Sequence, residues 1–520
     1  MIMKRYCFTL IGLCILVFVL TVTSYAWQGR MGGMGDPYGL ISDESDFLIH
    51  PAKIAQGEGV RFYGDYRFTY TDVMDWDYDL DRFRLDYLLI QYNHFDTSGQ
   101  EYAHAALLGA AFPLGTGRAG IFFQYEGIRG NYDGYGANLA PLPFPESNYD
   151  LTDNRDDFLL RLLYGLPFLG ARLGGEIQFG YHGEEHKNWL YGIDLMRGIK
   201  NYPNDPWWSD LDLFPLMIPY DSQYWEALFK GSLEGTIGPL DCEFTLRGGF
   251  LFSGDNDYAY EYQVLVGTPV QGFELDGGVE GWQIGGDLWV RYPVSDSLML
   301  PLLVRVDYQQ KTRDGDGPGF LLLAGGQYDY EHQERDFRIA VGGGADKELG
   351  TETRIAGGIY YSYRTTVDDF GLEVFGPGGW YIYDYSDYPA FSEHQVLLRF
   401  SGERRISPLV ELRAGLNCFY GWVRKEFKYT WSDATRPTRN VTYDIPLHGS
   451  HWGIGVSLGG AVQFQRFTME PFINVAYQKI DLDGDGEITQ NMWLVSDLWD
   501  MDLSRSEWLI GGGLSILFDL

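Results

Sequence analysis

From residue 60 onward, apolar and polar side chains alternate with a two-residue period, the signature of strands with two unlike faces. In Tyr224–Ile237, Trp225, Ala227, Phe229, Gly231, Leu233, Gly235 and Ile237 share one face. Glu226, Lys230, Ser232, Glu234 and Thr236 share the other, with Leu228 the one apolar intruder. Leu300–Lys311 repeats the pattern, with Leu300, Leu302, Val304, Val306 and Tyr308 set against Arg305, Asp307, Gln309 and Lys311. Trp508, Ile510, Gly512, Leu514, Ile516, Phe518 and Leu520 make one apolar face that runs to the last residue.

The runs span roughly 10 to 14 residues, longer than the usual globular strand and long enough for a tilted membrane strand of about 9 to 11 residues. Their connections fall into two kinds. Short links lie at Pro113–Arg118, Leu166–Gly170, Gly238–Asp241, Pro293–Ser297, Lys347–Thr351, Arg404–Pro408 and Gln463–Arg466. Long polar links lie at about 131–153, 183–221, 253–279, 312–333, 365–391, 425–448 and 480–506, and the two kinds alternate without a slip. Short turns at one rim and long loops at the other describe a transmembrane antiparallel β-barrel of the bacterial outer membrane. About 17 runs are readable, and even strand numbers are the rule for such barrels. Counting back from a descending last strand makes 60–73 the ascending first strand and puts 81–92 in an external connection. The fold class is therefore all-β, a barrel of about 16 strands, with 14 or 18 as alternatives.

Composition agrees with this reading. Aromatics make up 16 % of the 520 residues and crowd the long links, as in Tyr381-Ile382-Tyr383-Asp384-Tyr385, where interfacial girdles need them. A formal charge of −33 leaves no basic surface for nucleic acid. A mean hydropathy of −0.21 excludes a bundle of membrane helices. Residues 1–26 read as a signal peptide: Lys4 and Arg5, an apolar run from Phe8 to Val22, then Ser24-Tyr25-Ala26 at a cleavage site. Its removal takes Cys7 and Cys14 with it, so Cys242 and Cys418 remain, each on an apolar face.

Residues 27–59 do not alternate. They contain Gly33-Met34-Gly35-Asp36, Ser42-Asp43-Glu44-Ser45-Asp46-Phe47 and His50-Pro51-Ala52-Lys53-Ile54-Ala55. This segment resembles the amino-terminal signature of the outer-membrane transporters of long-chain fatty acids and aromatic hydrocarbons. That signature has a Gly-Met-Gly start, an acidic pair and an Asn-Pro-Ala-Gly-Leu-Ala element. Here His50 stands for the Asn and Lys53 for the Gly. The resemblance implies a plug inside the barrel, made by 27–59, with 60–520 as the barrel, and hydrophobic substrates.

Two motifs invite chemistry. Asp481, Asp483, Asp485 and Glu487 stand at the spacing that opens a calcium loop, with Gly486 at the turn and Met492 where a bidentate Glu is expected. Calcium in an extracellular loop is the one cofactor the sequence suggests. His448-Gly449-Ser450-His451 puts a Ser beside two His, but neighbours on a strand face opposite ways, so no dyad forms and no enzyme is expected. More informative are the charges on polar faces: Arg61, Asp65, Arg67, Arg161, Arg172, Glu176, Glu226, Lys230, Arg247, Asp287, Arg291, Arg305, Asp307, Arg338, Arg354 and Arg399. They read as lumen-lining. They fit a gated or plugged channel for small molecules, with outer-membrane lipid and a small-molecule solute as partners. A general polar-solute porin, or a structural or adhesive barrel, is the alternative. On this reading Phe229 and Val304 face lipid, and a lumen position such as Ser232 should accept arginine.

Overall fold

The computed structural model describes residues 29–34, 39–41, 44–84, 89–139, 147–191, 220–265, 268–321, 324–376, 380–387, 390–433, 441–490 and 495–520. The expected signal peptide and most of the Trp-rich stretch 203–221 lie outside them.

The strands are β1 (Arg61–Arg84), β2 (Leu89–Leu114), β3 (Gly117–Leu139), β4 (Ser147–Phe168), β5 (Ala171–Tyr191), β6 (Tyr220–Ile237), β7 (Leu240–Leu265), β8 (Thr268–Ser295) and β9 (Leu298–Leu321). They continue with β10 (Ala324–Leu349), β11 (Thr353–Gly376), β12 (Trp380–Asp387), β13 (Ala390–Ser407), β14 (Val410–Asp433), β15 (Val441–Phe464), β16 (Phe467–Gln490) and β17 (Val495–Asp519). All join one antiparallel sheet, and β1 pairs with both β2 and β17, so the sheet closes and has no edge. The short β12 and β13 are two pieces of a single stave, because both pair with β11 on one side and β14 on the other. The wall is thus a 16-strand barrel. Of the run 81–92, Asp81–Arg84 ends β1 and pairs with Leu89–Tyr92 at the start of β2.

All seven short links are tight turns. At Leu169–Gly170 both φ angles are positive (49° and 82°), the mirror-image turn whose twist suits a two-residue hairpin. The long links differ from expectation. Apart from β12, the strands run 18 to 28 residues, so hairpin ladders continue where irregular loops were expected. The reason is local: links such as 253–279 and 365–391 are rich in Tyr, Thr, Val and Phe, and an antiparallel ladder keeps satisfying backbone groups as long as both arms can extend.

Exposed apolar side chains form a band on the outward face, among them Phe62, Phe123, Phe229, Leu246, Leu302 and Ile473. Above this band rings meet from strand to strand: Tyr70–Tyr102, Tyr125–Phe158, Tyr181–Trp225, Trp282–Tyr308, Trp452–Tyr477 and Tyr477–Trp508, at 4.9–5.5 Å between centroids. From Phe62 to Tyr70, at ~3.3 Å per residue and a tilt of about 40°, the band is roughly 20 Å tall. The same arithmetic on Trp508 to Leu520 gives roughly 30 Å, bracketing the ~25 Å apolar band of an outer-membrane barrel. From Tyr70 to Arg84 the β1 stave climbs roughly 35 Å further.

Ahead of β1 come a short helix, α1 (Gly29–Gly33), and two 3-10 turns, Glu44–Leu48 and Pro51–Gln56. Together they pack against the inward face of the wall at its short-turn end.

Candidate functional site: the barrel lumen

The amino-terminal segment meets the wall on opposite sides through two apolar clusters. Met31, Met34, Leu40, Ile41 and Ile49 close on Trp289, Leu303, Ala356 and Tyr360 of β8, β9 and β11. Phe47, Leu48 and Ile54 close on Tyr63, Leu107, Ala111, Phe122 and Leu163 of β1 to β4. At Gly174 on β5 the two backbones touch, and a Cβ there would stand 2.1 Å from the Ala52 nitrogen. Only glycine permits that approach.

Polar contacts tie the segment to further staves. Arg30 Nη2 lies 2.6 Å from Glu403 Oε1, and Ser401 Oγ donates to the Met34 carbonyl at 2.8 Å. The Leu48 carbonyl accepts from Arg161 Nη2 (2.6 Å) and Lys230 Nζ (2.9 Å). The Ala52 amide donates to Ser232 Oγ at 2.6 Å, and Gln56 Nε2 to Glu234 Oε1 at 2.8 Å.

Lys53 is the most enclosed of these anchors. Its Nζ sits 2.7 Å from Asp46 Oδ2 and 2.9 Å from Glu243 Oε2, and 4.7 Å from the Trp289 ring centroid. Glu243 also meets Arg291 Nη2 at 2.7 Å. Burial works against the Lys53 charge, but Asp46 and Glu243 outweigh it and raise the ammonium above its ordinary range. His50 Nδ1 lies 2.6 Å from Thr245 Oγ1. Burial, reinforced by the Lys53 charge, lowers its imidazole to about 3, so it is neutral beside the cation. His50 and Lys53 are the two departures from the amino-terminal signature, and both grip β7.

The structure places the charges singled out in the sequence on this same inward face, and most of them meet. Arg161 and Lys230 flank Glu176 (2.7 and 3.3 Å), and Arg172 grips Glu234 (2.6 Å). Arg247 bridges Asp287 and Asp307, while Arg305 holds the other oxygen of Asp287. Glu226 lies 3.2 Å from His182 Nε2. Arg338 donates to Asp336 (2.9 Å) and Arg354 to Asp346 (2.8 Å). Arg399 stacks over Tyr360 at 5.3 Å. Arg61 pairs with Asp519, Asp65 accepts from Ser515, and Arg67 follows them on the same face of β1. Between the segment and the upper lumen the inward positions carry amides, Gln124, Gln178, Gln283, Gln309, Asn417 and Asn474, interspersed with charged groups such as Glu226, His182 and Asp307.

Two expectations need correction. Ser232 faces inward but is held against Ala52, so an arginine there would collide with the segment rather than be accepted. The run Asp481–Glu487 is not a loop. It lies within β16, with Asp481 opposite Ser450 and Ser504 and Asp483 opposite His448 and Asp502. Alternate residues of a strand stand ~6.6 Å apart, so the carboxylates are strung along the wall and do not gather around one point as a calcium loop requires. Among the described residues no group of three or more His, Cys, Asp or Glu is arranged to hold a metal ion. His451 turns inward to Glu393 (Nδ1 to Oε1 2.9 Å), and Ser450 takes the other face.

Glu243 and Trp289 were missed by sequence reasoning. A signal existed: Glu243 has the opposite parity to the lipid-side set Cys242, Phe244 and Leu246, and Trp289 shares the parity of Asp287 and Arg291.

No protein-family model and no curated protein matches the chain. Among solved structures it is similar to the P. putida toluene transporter TodX, at a TM-score of 0.41 and 11 % identity over 95 % of this chain and 99 % of that one. It is also similar to the Ralstonia pickettii toluene transporter TbuX (0.37, 12 %, 95 % and 98 %). A Pseudomonas aeruginosa FadL homologue stands at 0.37 and 10 %, over 95 % and 98 %.

Proposed function

We propose that the chain is an outer-membrane channel for small molecules, with the lumen as its passage and the amino-terminal segment as its plug. The outward apolar band and its ring of aromatics support a place in the membrane. One observation supports the gate: the segment is held inside a wall whose hydrogen-bond ladder closes without it, and its contacts with the wall among the described residues are packing, hydrogen bonds and ion pairs. Such an insert can leave or shift while the barrel stays folded.

Hydrophobic solutes are what the amino-terminal signature implies. The inward amides favour a second reading, in which small polar solutes are hydrogen-bonded on their way. Deletion of Gly33 to Ile54 tests the gate. The barrel should fold, and its single-channel conductance should rise. Unchanged conductance would mean the segment is no plug, and an impermeable barrel without it would leave a structural role.

A further inference from the structure

Higher in the lumen, one group of charges behaves unlike the rest. Most inward ion pairs join strands that are adjacent or once removed. Glu184 on β5 instead meets Lys311 and Arg313 on β9, with β6, β7 and β8 between them. Lys311 Nζ is 3.2 Å and Arg313 Nη2 3.0 Å from Glu184 Oε2. Arg313 Nη1 continues to Glu334 on β10 at 2.7 Å. All four side chains are largely buried.

Strands four apart are about 19 Å apart along the wall at ~4.8 Å per step. Extended Glu and Lys side chains reach only about 5 and 6 Å from their Cα atoms. The contact therefore needs β5 and β9 to draw together across β6–β8, and the sequence supplies the means. β7 carries a bulge between Leu251 and Gly254, seen against both β6 and β8. A Cβ at Gly254 would lie 2.7 Å from Val279 Cβ and 2.9 Å from Tyr224 Cβ. Tyr224, Leu251 and Val279, one from each intervening strand, form a buried apolar cluster in the fold. The bridge rests on it: Tyr224 Oη donates to Glu184 Oε1 at 3.1 Å, and Lys311 Nζ stands 4.2 Å from the Tyr224 ring centroid.

Glu184 lies ten residues above the segment contact at Gly174, and Lys311 eight above that at Leu303. At ~3.3 Å per residue along tilted strands, the bridge is roughly 20–25 Å outside the plug.

We propose that Glu184, Lys311, Arg313 and Glu334 form a second constriction that sets the size and charge of solutes entering from outside. The proposal rests on the channel reading. Passage then depends on two barriers in series, with a polar stretch of lumen between them. Removing the plug alone leaves a narrow, charge-bearing aperture.

The test is single-channel conductance in planar bilayers, with folding checked by heat-dependent gel migration. The variants are Glu184→Ala/Lys311→Ala/Arg313→Ala/Glu334→Ala, in the full chain and in the chain lacking Gly33 to Ile54. A rise in conductance on adding the four substitutions to the deleted chain supports the constriction, as does a larger size limit for sugars in liposome swelling. Identical conductance and size limit with and without them overturns it. A milder variant, Lys311→Gln/Arg313→Gln, keeps the bulk and leaves the two carboxylates. It should shift the reversal potential in a KCl gradient toward cations, and an unmoved potential counts against the proposal. If the deletion alone changes nothing, the plug reading fails. The constriction is then judged in the full-length chain, where the substitutions must raise conductance by themselves.

Discussion

Lys53→Met removes the ammonium from between Asp46 and Glu243 while keeping an unbranched stem beside Trp289. At an effective dielectric of about 20, a unit-charge pair ~2.8 Å apart attracts by about 6 kcal/mol before desolvation. Removing one partner of a buried ion pair costs about 3–5 kcal/mol, because the other charge stays behind in a poor solvent. Arg291 still reaches Glu243 at 2.7 Å, so the low end, about 3 kcal/mol, applies. The barrel ladder does not use Lys53, so the loss falls on the seated position of the segment. A change of about 3 kcal/mol shifts the seated-to-unseated ratio by roughly 150-fold. Opening frequency in planar bilayers should rise by about two orders of magnitude, with the folded barrel retained on gels. Asp46→Asn added to Lys53→Met should recover part of the loss, because the pair is coupled. An opening frequency equal to that of the parent chain would refute the view that this cluster holds the plug.

Acidification should act in the same direction. His50 is held neutral with its pKa lowered to about 3 by burial and Lys53, while an unseated histidine titrates near 6.5. The seated form therefore has its full advantage above pH 6.5 and loses about 1.4 kcal/mol per unit as pH falls from there toward 3. Openings should become more frequent between pH 7 and 5, and His50→Gln should flatten that dependence. Phe229→Arg on the outward face should cost about 2–4 kcal/mol of barrel stability near the membrane midplane, whereas Gln283→Arg on the inward face should be tolerated; denaturant titration in lipid separates them. In intact cells, a cysteine at exposed Asp314 should react with an impermeant thiol reagent and one at Gly115 should not; the reverse pattern would invert the topology.

The wall was legible because its code is local. Trp225/Phe229/Leu233 against Glu226/Lys230/Glu234 is one strand read directly, and the turn at Leu169–Gly170 needs only its own residues. The upper hairpins were harder. In 312–317, Thr-Arg-Asp-Gly-Asp-Gly, both faces are polar or glycine, and without a lipid side the two-residue period fades although the ladder persists. The site was legible as a set of charges but not as pairs. Glu184 and Arg313 both lie in segments that read as loops, and their meeting depends on an approach of β5 and β9 across three strands that no local pattern encodes. Lys53 looked like a flaw in a borrowed signature, and its partner Glu243 is nearly two hundred residues away on β7.

The most direct measurement tethers the plug. The Ala52 amide stands 2.6 Å from Ser232 Oγ, which brings these residues within disulfide reach, about 4.4–6.8 Å between Cα atoms. Ala52→Cys/Ser232→Cys, with Cys242 and Cys418 replaced by alanine, gives a chain whose segment can be locked by oxidation and released by reduction. Solute flux into liposomes should fall to background when the tether is oxidised and return when it is reduced. Flux that is the same in both states would contradict a passage gated by this segment.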